Sequence, residues 1–282
     1  MNEVKRIIEK DISLKDYLDS IYIPKKVIND LVNNKLIRRN DTILNLNDQL
    51  YKNDIISFFL EEYDKNDISD FGYNLDIVYE DDDILIIKKG RKILIHSDGN
   101  SDETLLNAVS KYMKDCDNYN KPRCVHRIDY DTIGLVMFSK NLISYYYMFY
   151  QMNNNLIKKK YYALVEGKLD SGRIEKPIGS DRHNNNRYLV SKSGKNAITI
   201  YNQIEYKNNK SLMDIEIITG RRHQIRVHMA YLSHPIVGDK IYGKGENLML
   251  ENYYLGFSSP KNNKFKEVKI KNELEFWLWK KF

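Results

Sequence analysis

A chain of 282 residues with 42% hydrophobic content is long enough for about two domains and apolar enough to give each a core. Its 45 Lys and Arg exceed its 39 Asp and Glu by a formal +6, a surplus that permits a polyanionic partner without requiring one. No run approaches the roughly 18 apolar residues of a membrane span, "MNEVKRIIEKD" lacks a signal-peptide core, and Cys116 and Cys124 suit free thiols better than a disulfide framework, so a cytoplasmic, membrane-free protein is expected.

Leu14, Tyr17, Leu18 and Ile21 fall at i, i+3, i+4 and i+7, which predicts a short helix over residues 13 to 20, opened by Ser13. A second helix starts at Pro24 and turns Val27, Ile28, Leu31 and Val32 inward, with Lys25 and Lys26 in its first turn. "KLIRRNDTILNL" reads as a hairpin turning at Asn40 and Asp41, and "DIISFFL" as a further strand that closes the unit near Leu60. The polar, acidic, aperiodic "EEYDKNDISDFGYN" marks a linker, which sets boundaries at 1–62, 63–74 and 75–282.

The remainder is strand-rich. "DIVYE" and "ILIIKK" flank an acidic turn, "KILIHS" is expected to continue the sheet, and Leu105, Ala108, Val109 and Tyr112 share one helical face. "KYYALVEGKL" is a strand, followed by the polar basic loop "DRHNNNRYLVSKSGKN". "AITIYNQIEY" and "SLMDIEIIT" pair across residues 207 to 210. In "GRRHQIRVHMAYL" a strand end enters a helix, with Ile225, Met229 and Leu232 on one face and Arg222 and Arg226 on another.

The chemistry concentrates in "CVHRIDYDTIGLVMFSKN", where charged residues crowd the mouth of an apolar strand. An Asp beside an Arg in a turn is ordinarily a solvated ion pair or a backbone cap. Here Asp131 and Thr132 already supply the turn chemistry, and Asp129, held where a buried strand begins, is positioned to be partly desolvated and to act as a nucleophile. Tyr161 and Tyr162 must face opposite sides of their strand. His126, His223 and His228 raise the possibility of a metal site, but His223 and His228 are five residues apart, not the i, i+4 spacing that puts two ligands on one helical face, so no metal is expected. The chain has no GxGxxG or GxxxxGK[ST] loop, and "GKGEN" is too short to cradle phosphates, so no nucleotide cofactor is expected either.

These signals occur jointly and in a recognisable order. "HRIDYDTIGLVMFSK" closely resembles the HRLDxxTSGL segment of the RluA-type pseudouridine synthases, which isomerise uridine in ribosomal and transfer RNA. "LDIVYEDDDILIIKK" resembles that family's opening strand pair, "KYYALVEG" its Tyr-x-Ala segment and "GKNAIT" its GKxAxT hairpin start. "TGRRHQIRVHMAYLSHPIVGDKIYG" and "LGFSSP" are similar to its TGRxHQIRVH segment and its LxFxHP ending. The resemblance covers roughly residues 75 to 260, and residues 10 to 60 are similar to the small alpha-L RNA-binding module that often precedes this catalytic domain. Four departures stand out: Ile133 for Ser, no KPAG turn in "KKGRKILIHS", Arg222 for Thr or Ser, and Ser259 for His.

The resemblance implies an α+β fold with a mixed, mostly antiparallel sheet, flanking helices and a small N-terminal α+β module. It implies a cofactor-free isomerase acting as a monomer on RNA, 23S ribosomal RNA in the first place and transfer RNA as the alternative. A non-catalytic RNA-binding protein would give no reason for Asp129, Tyr161 and Arg226 to occur together. By residue matching, Asp129 is the catalytic carboxylate, Arg226 its counter-ion and Tyr161 the active-site tyrosine, while Arg127 fills the stack that a flipped uridine leaves. His126, Thr132, Arg221, Arg222, His223, Gln224 and the apolar floor Leu255 are expected at the substrate. Lys25, Lys26, Lys35, Arg38, Arg39, Arg187, Lys192 and Lys195 are expected at the RNA backbone. Attack of Asp129 at C1′, attack at C6 and removal of the C2′ proton all fit this pattern. For Tyr161 to act near neutral pH, a cation such as Arg226 would have to stabilise its phenolate, or its oxygen would have to act through water.

Overall fold

The computed structural model describes residues 3–184 and 186–271. The N-terminal unit runs β1 (Glu3–Ile7), β2 (Ile12–Ser13), α1 (Leu14–Ser20), α2 (Lys25–Asn33), β3 (Ile37–Arg39), β4 (Thr42–Ile43), β5 (Gln49–Leu50) and β6 (Ile55–Phe59). Ser13 caps α1 by accepting the Asp16 N–H at 3.1 Å, and Asn40, at φ 54°, makes the left-handed turn between β3 and β4. Pro24 occupies the cap of α2 rather than its first turn. The unit forms a four-stranded sheet in the order β1-β6-β3-β4. Its edge strand β1 has no counterpart among the expected elements, because five residues of mixed charge carry little strand signal alone.

The rest is built around a ten-stranded sheet. It comprises β7 (Asp76–Glu80), β8 (Ile84–Lys89), α3 (Leu105–Asp115), β9 (Arg123–Cys124), β10 (Ile133–Ser139), α4 (Leu142–Asn153), β11 (Lys158–Glu166), β12 (Gly172–Glu175) and β13 (Ile178–Ser180). It continues with β14 (Tyr188–Val190), β15 (Ile198–Lys207), β16 (Lys210–Ile217), α5 (Gln224–Tyr231), β17 (Leu250–Ser258) and β18 (Phe265–Lys269). The sheet order is β12-β15-β16-β11-β17-β10-β8-β7, with β18 beside β17 and β9 beside β10. The expected α+β class with a mixed, mostly antiparallel sheet is what forms: β10 runs parallel to β17, and the other strand pairs of this sheet are antiparallel. That parallel pairing spans only Ile133 and Gly134 against Glu251 and Asn252. Gly134 has φ +110°, and a Cβ there would lie 2.2 Å from the Asn252 carbonyl oxygen, so only glycine allows the two backbones to approach.

Two local expectations are corrected and one helix was not anticipated. "KILIHS" is not a strand; Lys92 takes φ 59°, Leu94 makes one bridge to Thr104, and Ile93 and Ile95 instead pack with Leu105 and Val109 of α3. The basic loop is not wholly irregular, since β14 lies within it and pairs with β13 just before it. Helix α4, which has no clear signature in the sequence, is capped by Asn141, which accepts the Ser144 N–H at 2.8 Å; tyrosines beside buried Leu142, Ile143 and Met148 blur its period.

The two units share one core. Leu18, Leu31, Ile56 and Phe58 belong to the same buried cluster as Ile84, Leu135, Met148 and Phe257. Arg6 of β1 reaches Asp83 of the larger unit at 2.6 Å, the pair being 4% and 1% exposed. The stretch expected to be a linker is tied down: Asp64 pairs with Arg123, and the Ile68 carbonyl accepts Lys114 Nζ at 2.7 Å. No helix among the described residues is long and apolar enough to cross a membrane.

Candidate active site

The turn before β10 holds Asp129 rigidly at the strand mouth. The Thr132 N–H donates to the Asp129 carbonyl at 3.1 Å, and Lys89, paired across the sheet with Gly134, donates its ammonium to the carbonyls of Gly90 and Tyr130 at 2.9 Å each. Lys89 is fully buried; desolvation brings it down to about 8, against the opposing pull of Asp129 and Asp131.

The second element is α5. His223 precedes it in a left-handed conformation, φ 56°, which swings the chain off the end of β16 so that Arg226, in the first helical turn, points at Asp129. Arg226 Nη1 donates to Asp129 Oδ2 at 3.1 Å. Its Nε and Nη2 donate to Oδ2 and Oδ1 of Asp239, each at 2.8 Å. Asp239 is fully buried and also accepts the N–H groups of Ile241 and Tyr242 at 2.9 and 3.1 Å. Burial opposes the guanidinium's charge, but the Asp239 hydrogen bonds and both carboxylates outweigh it and hold Arg226 firmly protonated. Burial likewise works against Asp239, and Arg226 overrides it, keeping that carboxyl below its ordinary value. Asp129 remains 26% exposed, so one face of its carboxylate is open.

A cavity of about 950 Å³ surrounds this pair. Tyr161, on β11, lines it and is 6% exposed, while Tyr162 faces away and stacks on Tyr253 at 3.8 Å, as strand alternation requires. Of the two roles expected for Tyr161, the surroundings oppose a cation-stabilised phenolate: burial first, then the charge of Asp129, raise its phenol above its ordinary value.

The other expected substrate residues divide. His126, Thr132, Arg127 and Arg221 line the cavity, Arg127 exposed at its mouth and Arg221 donating Nε to the Asn196 carbonyl at 2.9 Å. His223 brings Nε2 to 3.8 Å from Asp129 Oδ2, with Nδ1 2.9 Å from the Tyr242 hydroxyl; burial lowers its pKa. Arg222 also lines the cavity but does not share a helical face with Arg226, because α5 begins at Gln224; it lies exposed over the Tyr188 ring at 5.4 Å. Gln224 lines the cavity but is consumed structurally, accepting from Thr219 Oγ1 and the Arg221 N–H and donating to the Ile198 carbonyl and Thr199 Oγ1. Leu255 is not the floor: it is fully buried in the core shared with the N-terminal unit, and Leu250, five residues earlier on β17, lines the cavity instead. His228 sits between Thr199 Oγ1 at 2.8 Å and the Lys176 carbonyl at 3.0 Å, in a different environment from His223.

Of the basic set, Lys25, Lys26, Lys35, Lys192 and Lys195 are exposed. Arg38 stacks over Phe59 at 4.8 Å and Arg187 over Tyr242 at 5.8 Å. Arg39 is already paired with Asp54 at 2.8 Å, which corrects its assignment as a free phosphate ligand. Sequence reasoning missed Asp239, Lys89 and Tyr242. Asp239 and Tyr242 lie within "VGDKIYG", at the end of the long segment quoted for the resemblance, but no role was read for them.

Comparison with known proteins agrees with this geometry. A family model described as RNA pseudouridylate synthase matches residues 83–231. The chain is 33% identical over 239 residues to an uncharacterized RNA pseudouridine synthase, YlyB, of Bacillus subtilis, covering 81% of this chain and 79% of that one. It is 41% identical over 198 residues to ribosomal large subunit pseudouridine synthase D of Buchnera aphidicola, covering 69% of this chain and 62% of that one. The protein of that name in Vibrio cholerae is 40% identical over 173 residues, 60% of this chain and 53% of its own. Among solved structures, human RNA pseudouridylate synthase domain containing 1 superposes with a TM-score of 0.61 at 24% identity, over 72% of this chain and 86% of that one, a likeness of fold.

Proposed function

Because the chain belongs to the RNA pseudouridylate synthase family, we propose that it isomerises specific uridines of 23S ribosomal RNA, with Asp129 as the group that engages the flipped nucleoside. The observation that carries this reading is the one-sided pairing of Asp129. Arg226 contacts a single oxygen, places a fixed positive charge beside the carboxylate and leaves its other face toward the cavity. The relatives named for the ribosomal large subunit support the choice of RNA.

The reaction breaks the C1′–N1 bond, rotates the uracil and joins C1′ to C5; N1 gains a proton and C5 loses one, so no redox partner is consumed. Asp129 supplies the negative charge, and Arg226, oriented by Asp239, holds it in place. Tyr161 presents an un-ionised hydroxyl beside the base and can pass a proton only by exchanging one in the same step. Arg127 at the mouth fills the vacated stack. The N-terminal unit acts as an alpha-L RNA-binding module through Lys25, Lys26, Lys35 and Arg38, and the 1–62, 63–74 and 75–282 division is its functional partition.

The test is to map pseudouridines in 23S RNA from a strain lacking the gene and from one carrying Asp129→Asn. The same site or sites should become uridine in both. A complete 23S pattern in the deletion strain overturns the substrate assignment, and a complete pattern with Asp129→Asn overturns the role of Asp129.

A further inference from the structure

Three polar side chains of the cavity have no use in the scheme above. Lys159 lies on β11 two residues before Tyr161, on the same face, and is 2% exposed. Its ammonium lies 3.7 Å from Met152 Sδ, beside Gly220, where an added Cβ would come equally close; no carboxylate pairs with it among the described residues. His126 is 4% exposed and neither ring nitrogen has a hydrogen-bond partner; the hydroxyl of Thr132, 2% exposed, has none either. All three line the cavity that holds Asp129.

Interiors rarely leave such groups unpaired, or an ammonium with only the weak thioether acceptor that Met152 offers Lys159, because each forfeits water with little recompense and an ammonium loses most. Three of them around one cavity point to a polar ligand. The lack of any counter-charge at Lys159 selects an anion over a neutral carbonyl. The anion that a flipped nucleotide carries with it is its phosphodiester. The cavity, at about 950 Å³, lies at the upper end of small-ligand pockets and has room beyond the base.

We propose that Lys159 and His126, with Thr132, form a subsite for the RNA phosphodiester adjacent to the flipped uridine, distinct from the exposed lysines of the N-terminal unit. The proposal rests on the isomerase reading for the nature of the ligand. Burial depresses Lys159 to about 8, and burial together with the Lys159 charge depresses His126 to about 3. Around neutral pH the pair therefore presents one cation and one neutral imidazole able to donate a single hydrogen bond.

The experiment measures Kd for uridine, uridine 3′-monophosphate and uridine 5′-monophosphate by calorimetry on the full chain, for wild type and Lys159→Met. One monophosphate should bind wild type about tenfold or more tighter than uridine, the size of one charge-assisted hydrogen bond. Lys159→Met should reduce that ratio to near one and leave the Kd of uridine unchanged. No monophosphate preference in wild type, or a preference that survives Lys159→Met, overturns the proposal. Equal weakening of uridine and its monophosphates also overturns it, because Lys159 then reads the base. Should the variant misfold, wild type alone decides: the preference should decline between pH 7 and 9.5 as the ammonium loses its proton, and a flat ratio overturns the proposal. Tritium release from RNA labelled at uridine C5 is assayed in parallel. Release without phosphate discrimination sinks the subsite alone; discrimination without release from any RNA sinks the isomerase reading alone.

Discussion

Asp239 grips Arg226 through two parallel hydrogen bonds of 2.8 Å, so the guanidinium's direction is set from behind and not by Asp129. Asp239→Asn keeps the shape and removes the charge, which leaves a buried guanidinium under-compensated. Loss of one partner from such a pair costs about 3–5 kcal/mol. Thermal unfolding should shift downward accordingly, and turnover should fall about a hundredfold as Arg226 swings off line. Wild-type turnover in a folded Asp239→Asn protein would remove Asp239 from the site.

Tyr161 gives a pH prediction whose sign is fixed by its surroundings. Burial and Asp129 raise its pKa, so no phenolate accumulates between pH 7 and 9 and the wild-type rate should not climb through that window on its account. Tyr161→Phe should fold normally while C5 label release falls about a hundredfold, the usual scale of a lost proton-transfer group. Tyr162→Phe, altered on the opposite face, should behave nearly as wild type. A wild-type rate rising about tenfold per pH unit that flattens in Tyr161→Phe would show that the phenolate is the base after all.

The shared core changes what truncation should do. An independently folding catalytic domain is the natural expectation from an acidic, aperiodic linker. With Leu18, Leu31, Phe58 and Phe257 in one cluster, deletion of residues 1–62 uncovers the other side of that core. The shortened chain should be insoluble or unfold at markedly lower temperature. More finely, Asp83→Asn should destabilise by about 3–5 kcal/mol by stranding Arg6, and the double change with Arg6→Met should recover much of the loss. Additive single effects in that cycle would deny the pair its role.

Salt dependence separates free from committed cations on the N-terminal unit. Neutralising Lys25, Lys26 and Lys35 together should flatten the slope of log affinity against log salt by roughly 0.7 to 0.9 for each phosphate that these lysines neutralise. Arg39→Gln should leave the slope unchanged, because Arg39 is paired with Asp54 and donates to the Gln49 carbonyl. Equal slopes for the triple lysine variant and wild type would show that this unit does not hold RNA.

What could be read from the sequence was local. Ser13, Asn40 and the residues Ile225 and Met229 announced a cap, a turn and a helix face through chemistry contained within a few positions, and all three formed. Asp129 and Arg226 were legible because their segments are distinctive. The errors were non-local. Arg222 lost its shared face to one left-handed residue, His223, and Leu255 was placed at the cavity by matching of segments, which does not say which face of the strand meets it. Asp239 carries no signal of its own; only folding brings it against Arg226.

The short parallel pairing between β10 and β17 has a consequence for how the molecule could be divided. Strands β7, β8 and β10 lie on one side of it and β17, β11, β16, β15 and β12 on the other. Asp129 belongs to the first group, and Tyr161, Arg226 and Asp239 to the second. A single cut in the exposed stretch of residues 153–156 would give two polypeptides, one carrying the anion and the other its counter-ion. Asp129 and Arg226 would then meet only when the halves rejoin, so turnover would report on their reassembly, with Gly134 at the joint.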